Sequence, residues 1–170
     1  MSKLSKEMTG MGECIGRGSD RVAYLYRDKV YKIPVNSSSV FDTQADLERQ
    51  AWERMPEKLK SFFPNPVFYG RVVEMDRVYV AEQDEEFDTG FYGIETDFED
   101  EDFQHDVMYS SQMSGFLELK GVEVDWDAFF ELLSFFNDWG ISVLDICDNT
   151  GNFGLDENGE FKIVDWGFSS

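Results

Sequence analysis

The segment Asp145–Ser170 contains the feature that most constrains the fold, an Asn158-Gly159 pair between two short strand-like runs. Both residues tolerate the positive φ angles of a type I′ turn, so this pair is the strongest short sequence signal for a β-hairpin. The flanking runs, Asn152–Leu155 and Phe161–Val164, have the length and apolar content of strands. A two-residue loop would therefore place Asn152 directly opposite Asp165.

This pairing predicts a magnesium site at the open end of the hairpin. Directly opposite side chains have Cβ atoms about 5 Å apart on one face, so the amide of Asn152 and the carboxylate of Asp165 would point to one place. Mg²⁺ prefers oxygen ligands and takes one or two protein groups, leaving its other positions to water and phosphate. A solvated hairpin with polar ends is the alternative, and a different loop length would break the register. The run Val164–Gly167, in which a carboxylate ends an apolar strand before a glycine, favours the metal site.

A second chemical signature lies in the segment Ile15–Val35, which is predicted to form strand, Gly-rich turn, strand, tight turn and strand. Gly16 and Gly18 would let backbone amides approach a phosphate where a side chain would clash. Lys32 places a cation inside an apolar strand, which is costly unless it meets an anion. Each feature alone is more often structural, so the prediction depends on their occurring together in this order.

A helix is predicted over Asp42–Met55, because apolar residues recur there at four-residue spacing. Pro56 would end it. Glu48 borders the predicted buried face and is the predicted partner of Lys32. The alternative is that Glu48 belongs to an ordinary solvated helix surface.

Further elements complete a predicted α+β fold. Strands over Val67–Val73 and Val78–Ala81 would extend the three N-terminal strands to a five-stranded antiparallel sheet. A second helix, over Asp125–Trp139, has apolar and aromatic side chains along one face and is followed by Gly140, a residue typical of helix ends.

The chain is strongly acidic, with 35 Asp and Glu against 15 Lys and Arg and a net charge of −20. This balance argues against binding to nucleic-acid phosphates, which requires Lys and Arg, and permits a basic protein partner. The segment Val78–Leu119 has 13 acidic residues and neither Lys nor Arg. It is predicted to be a mobile acidic loop or a partner-binding arm with aromatic anchors, in which His105 is solvated. Two cysteines without a disulfide or metal pattern, and no signal peptide or membrane-spanning run, predict a cytoplasmic location.

The order of these features resembles the protein-kinase-like fold: Gly-rich loop, strand lysine, helix glutamate, long helix, Asp…Asn loop, hairpin and Asp-x-Gly. The likeness covers about Gly12 to Phe168 and extends to small phage-encoded serine/threonine kinases and aminoglycoside-type phosphotransferases. It implies a minimal kinase-like fold with an N-lobe over 1–83, built from a five-stranded antiparallel sheet and one helix. An acidic linker or insert over 84–122 and a truncated, mainly helical C-lobe over 123–170 would follow.

The resemblance also implies ATP and Mg²⁺ as cofactors and gives roles to individual residues. The residues that it places around the ATP phosphates are Gly16, Arg17, Gly18, Ser19, Val22 and Lys32. Lys32 would contact the α- and β-phosphates and be positioned by Glu48. Asn152 and Asp165 would hold Mg²⁺, with Asp165-Trp166-Gly167 standing in place of Asp-Phe-Gly. Asp145 would accept the proton of the substrate hydroxyl.

Three departures from the family pattern accompany this resemblance. The family's catalytic Asp lies five residues before the metal-binding Asn, and that position is Cys147 here. Asp145 lies seven residues before Asn152 and would serve if the loop carries a two-residue insertion. The sequence continues for three residues after Gly167, so the activation segment and substrate-binding helices are expected to be absent. The Gly-rich loop also lacks the third glycine.

The implied function is an ATP- and Mg²⁺-dependent phosphotransferase of the protein-kinase type, phage-encoded and acting on host proteins. The alternative is a catalytically impaired pseudokinase whose acidic surface binds and inhibits a basic host or defence factor. A small-molecule phosphotransferase with a cationic substrate is a third, weaker interpretation. The expected partner is a basic protein rather than nucleic acid or a membrane, in the host cytoplasm if the protein is viral. The substrate and the oligomeric state stay open.

Overall fold

The computed structural model of the chain describes residues 10, 12–17, 21–35, 43–81, 97–141 and 143–166, without the side chains of residues 43–44 and 143–145. The chain divides into two compact units. The first comprises Met1–Arg54 and Pro64–Arg77, and the second comprises Met55–Phe63 and Val78–Ser170. The boundary after Arg77 falls where the sequence predicts the last turn of the first sheet.

The first unit contains a five-stranded antiparallel sheet, which confirms the α+β class and the predicted strand number. Its strands are β1 (Glu13–Arg17), β2 (Arg21–Tyr26), β3 (Lys29–Pro34), β4 (Val67–Tyr69) and β5 (Val72–Asp76). Their order across the sheet is β1-β2-β3-β5-β4, and every neighbouring pair is antiparallel. Strand β3, which carries Lys32, is therefore the central strand.

The last two strands of this sheet differ from the prediction. The sequence predicts one strand over Val67–Val73, whereas the structure divides it at a tight turn that pairs Tyr69 with Val72. Gly70 lies in that turn with φ +60°, a conformation that favours glycine. The predicted fifth strand, Val78–Ala81, is not part of this sheet, because its residues pair with a strand of the second unit.

A two-residue turn at Arg27 and Asp28 sets the register between β2 and β3. Both residues have positive φ angles, +48° and +63°, as a type I′ turn requires. Tyr26 consequently pairs directly with Lys29. The same register places Lys32 opposite Ala23 on β2.

Helix α1 (Thr43–Arg54) confirms the helix predicted before Pro56. Its fully buried residues are Ala45, Glu48 and Ala51, and Leu47 is half-buried. Residues three apart lie on neighbouring turns of one helix surface. The buried face is therefore centred on Glu48, a carboxylate, whereas the sequence predicts this residue at its border.

The second unit combines helices with a three-stranded antiparallel sheet of order β6-β7-β8. Its elements are β6 (Val78–Val80), α2 (Glu101–Ser110), α3 (Gln112–Lys120), α4 (Trp126–Asp138), α5 (Val143–Asp148), β7 (Phe153–Asp156) and β8 (Phe161–Ile163), with 3-10 helices at Glu57–Phe62 and Thr150–Asn152. Helix α4 confirms the second predicted helix. The Asp125 carboxylate caps it by accepting from the amide of Ala128 at 3.2 Å, and the chain turns at Gly140 with φ +71°.

Part of the predicted acidic linker, 84–122, is instead helical and packed. Phe103 and Val107 of α2 are buried one helical turn apart, as are Met113 and Phe116 of α3. The apolar side chains bury one face of each helix, which leaves most of the acidic residues of 97–106 at the surface. His105 is exposed, as expected. Residues 82–96 lie outside the described part of the chain. Among the described helices, none has the length and apolar character needed to cross a membrane.

Candidate functional site

The C-terminal hairpin exists, but its loop is one residue longer than predicted. The amide of Asp156 donates to the carbonyl of Glu160 at 2.9 Å, and the amide of Gly159 donates to the carbonyl of Asp156 at 3.0 Å. The loop is therefore Glu157–Gly159, with Gly159 at φ +77°. This arrangement is typical of a type I turn followed by a left-handed glycine, the usual three-residue hairpin loop.

The longer loop shifts the register by one residue, so the predicted Asn152–Asp165 cross-strand pair is wrong. The residue opposite Asn152 is Val164, whose amide donates to the Asn152 carbonyl at 2.9 Å. Asp165 directly follows Val164 in the chain. The amide side chain and the carboxylate therefore still belong to adjoining positions at the open end of the hairpin.

Asn152 and Asp165 carry the kind of oxygen atom that a hard cation prefers. Asn152 ends a 3-10 helix and is 5% exposed, and Asp165 is half-buried. Among the described residues, no group of three or more His, Cys, Asp or Glu side chains could hold a metal ion. Mg²⁺ does not require such a group, because one or two protein oxygens and the oxygens of water and phosphate complete its shell. An amide oxygen and a carboxylate therefore fit Mg²⁺ by their chemistry.

Trp166 anchors the residues that follow Asp165. Its indole is 1% exposed and packs against Phe63 at a ring-centroid distance of 4.6 Å, and Phe63 in turn contacts Phe136 of α4 at 5.9 Å. The indole N–H has no hydrogen-bond partner among the described residues. Packing of the aromatic rings thus fixes the position of Trp166, and Gly167 lies outside the described residues.

Lys32 lies in the first unit at the centre of the sheet. It is 8% exposed and pairs through its backbone with Ala23 on β2 and Val73 on β5. Burying an ammonium group in apolar surroundings is expensive unless an anion accompanies it. The structure therefore contains the buried cation that the sequence predicts in this strand.

Glu48 contacts Arg21, a partner that the sequence does not predict for it. The Glu48 Oε1 lies 2.5 Å from the Nη2 of Arg21, and the two side chains are 0% and 7% exposed. Side chains alternate along a strand, so Arg21 shares a face of β2 with Ala23, which lies opposite Lys32. Glu48 thus has Arg21 as one ion-pair partner, and its predicted pairing with Lys32 stays a prediction.

Arg21 is the functional candidate that sequence reasoning missed. A signal was available, because Arg21 begins an apolar strand with the same alternation that places Ala23 beside Lys32. It is also the residue at the third-glycine position of the Gly-x-Gly-x-x-Gly spacing that begins at Gly16. A charged side chain at such a position needs a partner when it is buried.

The predicted phosphate loop is described only at its two ends. Gly16 and Arg17 belong to β1, where they pair with Ala23 and Val22. Val22 is buried, whereas Gly16 and Arg17 are exposed. A Cβ added to Gly16 would meet nothing within 4 Å, and Gly16 has no positive φ angle. Packing among the described residues therefore does not explain this glycine, and Gly18 and Ser19 lie outside them.

The three positions considered for a proton acceptor lie at helix α5 of the second unit. Burial, and secondarily the charge of Asp148, raise the pKa of Cys147, so this thiol stays protonated at neutral pH and cannot accept a proton. The Asp148 carboxylate accepts from the amide of Gln112 at the start of α3, at 3.0 Å. Asp145 lies within α5, and its side chain lies outside the described part of the chain.

Comparison of the sequence with known proteins adds no further constraint. No family model matches the chain, and no curated protein is significantly similar to it.

Proposed function

We propose that the protein binds ATP with Mg²⁺ and transfers a phosphoryl group to a hydroxyl acceptor, as kinase-like phosphotransferases do. The observation that carries this proposal is the identity of the buried polar side chains among the described residues. They are Arg21, Lys32, Glu48, Ser111, Ser114 and Asn152. The two serines serve as the cap and first turn of helix α3. The other four comprise three of the predicted site residues and the arginine that contacts one of them.

Burying charged side chains costs free energy, so their burial requires a structural or functional explanation. A charge moved from water into the protein interior costs several kcal/mol even after relaxation. Among the described residues of the first unit, two cations and one carboxylate are buried, although the chain as a whole has a net charge of −20. A polyphosphate is an anion that Lys and Arg side chains bind through charge-assisted hydrogen bonds. Gly16 supports the same ligand, because its missing side chain leaves space that no described atom fills.

The proposed metal ligands both belong to the second unit. Asn152 and Asp165 would hold Mg²⁺, which neutralises phosphate charge when it is bound. The partly buried carboxylate of Asp165 and the buried amide of Asn152 present the oxygen atoms that this ion prefers. Asp145 would take the proton of the acceptor hydroxyl, because Cys147 is protonated and Asp148 binds a backbone amide.

Calorimetric titration with ATP, with and without Mg²⁺, tests nucleotide binding. We expect Lys32→Met to weaken binding at least tenfold, equivalent to about 1.4 kcal/mol, whether or not Mg²⁺ is present. Lys29→Met is the matched control, since Lys29 lies on the same strand, 44% exposed, and its partner is Asp76. Absence of binding by the wild-type protein at millimolar ATP, or equal loss in the control, would refute the nucleotide site.

The metal and the transfer step need separate variants. We expect Asp165→Ala to abolish the gain in ATP affinity that Mg²⁺ gives the wild-type protein, and Asp138→Ala, an exposed carboxylate at the end of α4, to preserve it. Transfer is measured with γ-labelled ATP and a basic acceptor protein such as a histone. Asp145→Asn should retain ATP binding and lose transfer. Undiminished transfer in Asp145→Asn would exclude this carboxylate as the proton acceptor.

A pseudokinase that binds a basic protein is the second candidate, and the surface of α2 favours it. Asp97, Glu99, Glu101 and Asp102 place four carboxylates at or just before the start of this packed helix. Binding through them would weaken steeply with salt. Changing these four residues to their amides, while keeping the helix cap Asp100, should then impair partner binding more than Lys32→Met does. The opposite ranking would favour the phosphotransferase.

A further inference from the structure

Helix α2 exposes a pair of aromatic rings. The ring centroids of His105 and Tyr109 lie 4.8 Å apart, and Tyr109 is 68% exposed. The two residues are four positions apart and therefore lie on one side of the helix. Phe103 and Val107 are buried on the other side. The apolar packing of α2 therefore does not explain why this ring pair faces solvent.

Two carboxylates lie beside the ring pair. Asp102 and Asp106 are exposed and four residues apart, a spacing at which like charges repel each other and destabilise a helix. The sequence from Val78 to Leu119 has no Lys or Arg that could offset them from within this segment. A cation supplied by another molecule would relieve the repulsion. Asp102, His105, Asp106 and Tyr109 together form the α2 face.

The two compact units differ in charge, and the α2 face belongs to the acidic one. Residues 1–54 and 64–77 carry 11 Lys and Arg against 10 Asp and Glu, a net charge of +1. Residues 55–63 and 78–170 carry 4 Lys and Arg against 25 Asp and Glu, a net charge of −21. The acidic character of the chain is therefore a property of the second unit, which would attract a basic partner.

We propose that the α2 face is a docking surface for an arginine-rich segment of a partner protein. Arginine fits both parts of this surface, because its guanidinium binds carboxylates through paired hydrogen bonds and stacks on aromatic rings. The lysine ammonium is a compact and strongly hydrated charge without such a planar stacking surface. A second copy of this chain fits less well, because the net charge of −20 makes two copies repel each other.

Attraction by the whole second unit makes a different prediction from docking on the α2 face. A diffuse negative charge would bind Arg and Lys peptides alike, and exposed carboxylates anywhere on the unit would contribute equally. Docking on the α2 face requires a preference for arginine that depends on Tyr109. The inference does not rest on ATP binding, and it names the partner class of the second candidate function.

Fluorescence anisotropy measures the dissociation constants of two labelled peptides for the full chain at physiological ionic strength. One peptide alternates Arg with Gly, and the other alternates Lys with Gly. We expect the wild type to bind the Arg peptide at least about threefold more tightly than the Lys peptide. Tyr109→Ala should weaken binding of the Arg peptide about fivefold and remove this preference. Tyr109→Phe should keep both the affinity and the preference, since it retains the aromatic ring.

The carboxylates require a control of equal charge. Asp102→Asn with Asp106→Asn should weaken binding of both peptides at least about fivefold. Asp127→Asn with Asp138→Asn removes the same charge from exposed positions of α4 in the same unit. This control should change neither dissociation constant by more than about twofold. Circular dichroism checks that each variant is folded, and Tyr109→Ala carries the test if the variant of Asp102 and Asp106 does not fold.

Failure of this inference is distinguishable from failure of the nucleotide site, because all of these variants should bind ATP as the wild type does. A wild type that binds neither peptide, or both equally well, overturns the docking surface. Equal weakening in the α4 control identifies attraction by the whole unit and overturns it as well. A wild-type dimer that Tyr109→Ala abolishes would identify a second copy as the occupant, which also overturns the inference.

Discussion

Gly154→Ala should destabilise the second unit, because strand β6 approaches Gly154 too closely for any side chain. An added Cβ would lie 2.1 Å from the carbonyl oxygen of Tyr79 and 2.6 Å from the Cα of Val80. Real Cβ contacts are essentially never below 3.0 Å, so β6 must move by at least about 0.9 Å, the difference between 3.0 and 2.1 Å. The obstructing atoms belong to the backbone and cannot rotate away as the end of a flexible side chain can.

The size of the effect follows from what the movement disturbs. Overpacking a well-packed site costs about 1–3 kcal/mol. Displacing β6 also strains the ladder that pairs Val80 with Gly154 and the hydrogen bond from the Ala81 amide to the Phe153 carbonyl, 3.0 Å long. Each such bond contributes about 0.5–1.5 kcal/mol net. We therefore expect a loss of about 2–4 kcal/mol, which for a chain of this size lowers the melting temperature by about 2–4 °C per kcal/mol.

Two measurements test this prediction. Urea unfolding gives the free energy of unfolding, and hydrogen exchange reports local opening at the Ala81 amide. The control is Gly151→Ala, because an added Cβ there would lie 3.4 Å from the Asn149 Oδ1, an ordinary contact, and Gly151 has no positive φ angle. Its unfolding free energy should stay within about 0.5 kcal/mol of the wild type. In Gly154→Ala, exchange at the Ala81 amide should accelerate. Equal stability of the two variants would refute the close approach of β6 to β7.

Three further substitutions test other parts of the structure. Gly16→Ala should leave the unfolding free energy within about 0.5 kcal/mol of the wild type, since nothing described lies within 4 Å of the added Cβ. The same variant should weaken ATP binding in calorimetry. A loss of stability with unchanged binding would contradict a ligand-facing role. Asp28→Gly should stabilise the first unit by about 0.5–1 kcal/mol, because glycine adopts the positive φ angle of this turn position without the strain that a Cβ brings. Unfolding in urea measures the gain, and a destabilised variant would contradict it. Cys147 has a raised pKa through burial, so the folded protein keeps a proton that the unfolded chain releases above its ordinary pKa of about 8.5. The corresponding stability is fully present below that pH and declines as the pH rises, by up to about 1.4 kcal/mol per unit. Cys147→Ala should thus show a shallower fall in unfolding free energy between pH 8 and pH 10, and an unchanged slope would argue against the buried thiol.

Local patterns predict α1 and α4, because the information lies within a few residues, whereas the helices α2, α3 and α5 were not predicted. The Asp125 carboxylate caps α4 as expected, and every buried residue of that helix is apolar. The five-stranded sheet is predicted correctly in number and direction but not in membership. Pairing partners of strands are distant in sequence, and alternation alone does not say which strand lies beside which. For that reason, β6 is assigned correctly as a strand and to the wrong sheet.

The hairpin loop was predictable in principle, but from Asp156 rather than from Asn158-Gly159. Aspartate at the first position and glycine at the fourth position are typical of a type I turn. The Asp156 Oδ1 accepts from the amides of Asn158 and Glu160, at 2.9 and 3.0 Å, which stabilises that turn. Asn-Gly fits both loop types, since either one needs glycine with a positive φ angle. A one-residue difference in the loop then decides which residue faces Asn152.

The magnesium hypothesis depends less on the hairpin register than the sequence argument implies. In a regular strand, a shift of one residue would turn Asp165 to the opposite face from its predicted partner. Asn152, however, ends a 3-10 helix and precedes β7, so strand alternation does not fix the direction of its side chain. Its carbonyl binds the amide of Val164, which places its backbone beside the residue that precedes Asp165. The backbone of Asn152 thus lies beside that of Val164, next to Asp165, even though the pairing that predicted the site is wrong. The Mg²⁺ dependence of ATP binding in Asp165→Ala remains the decisive measurement for this end of the hairpin.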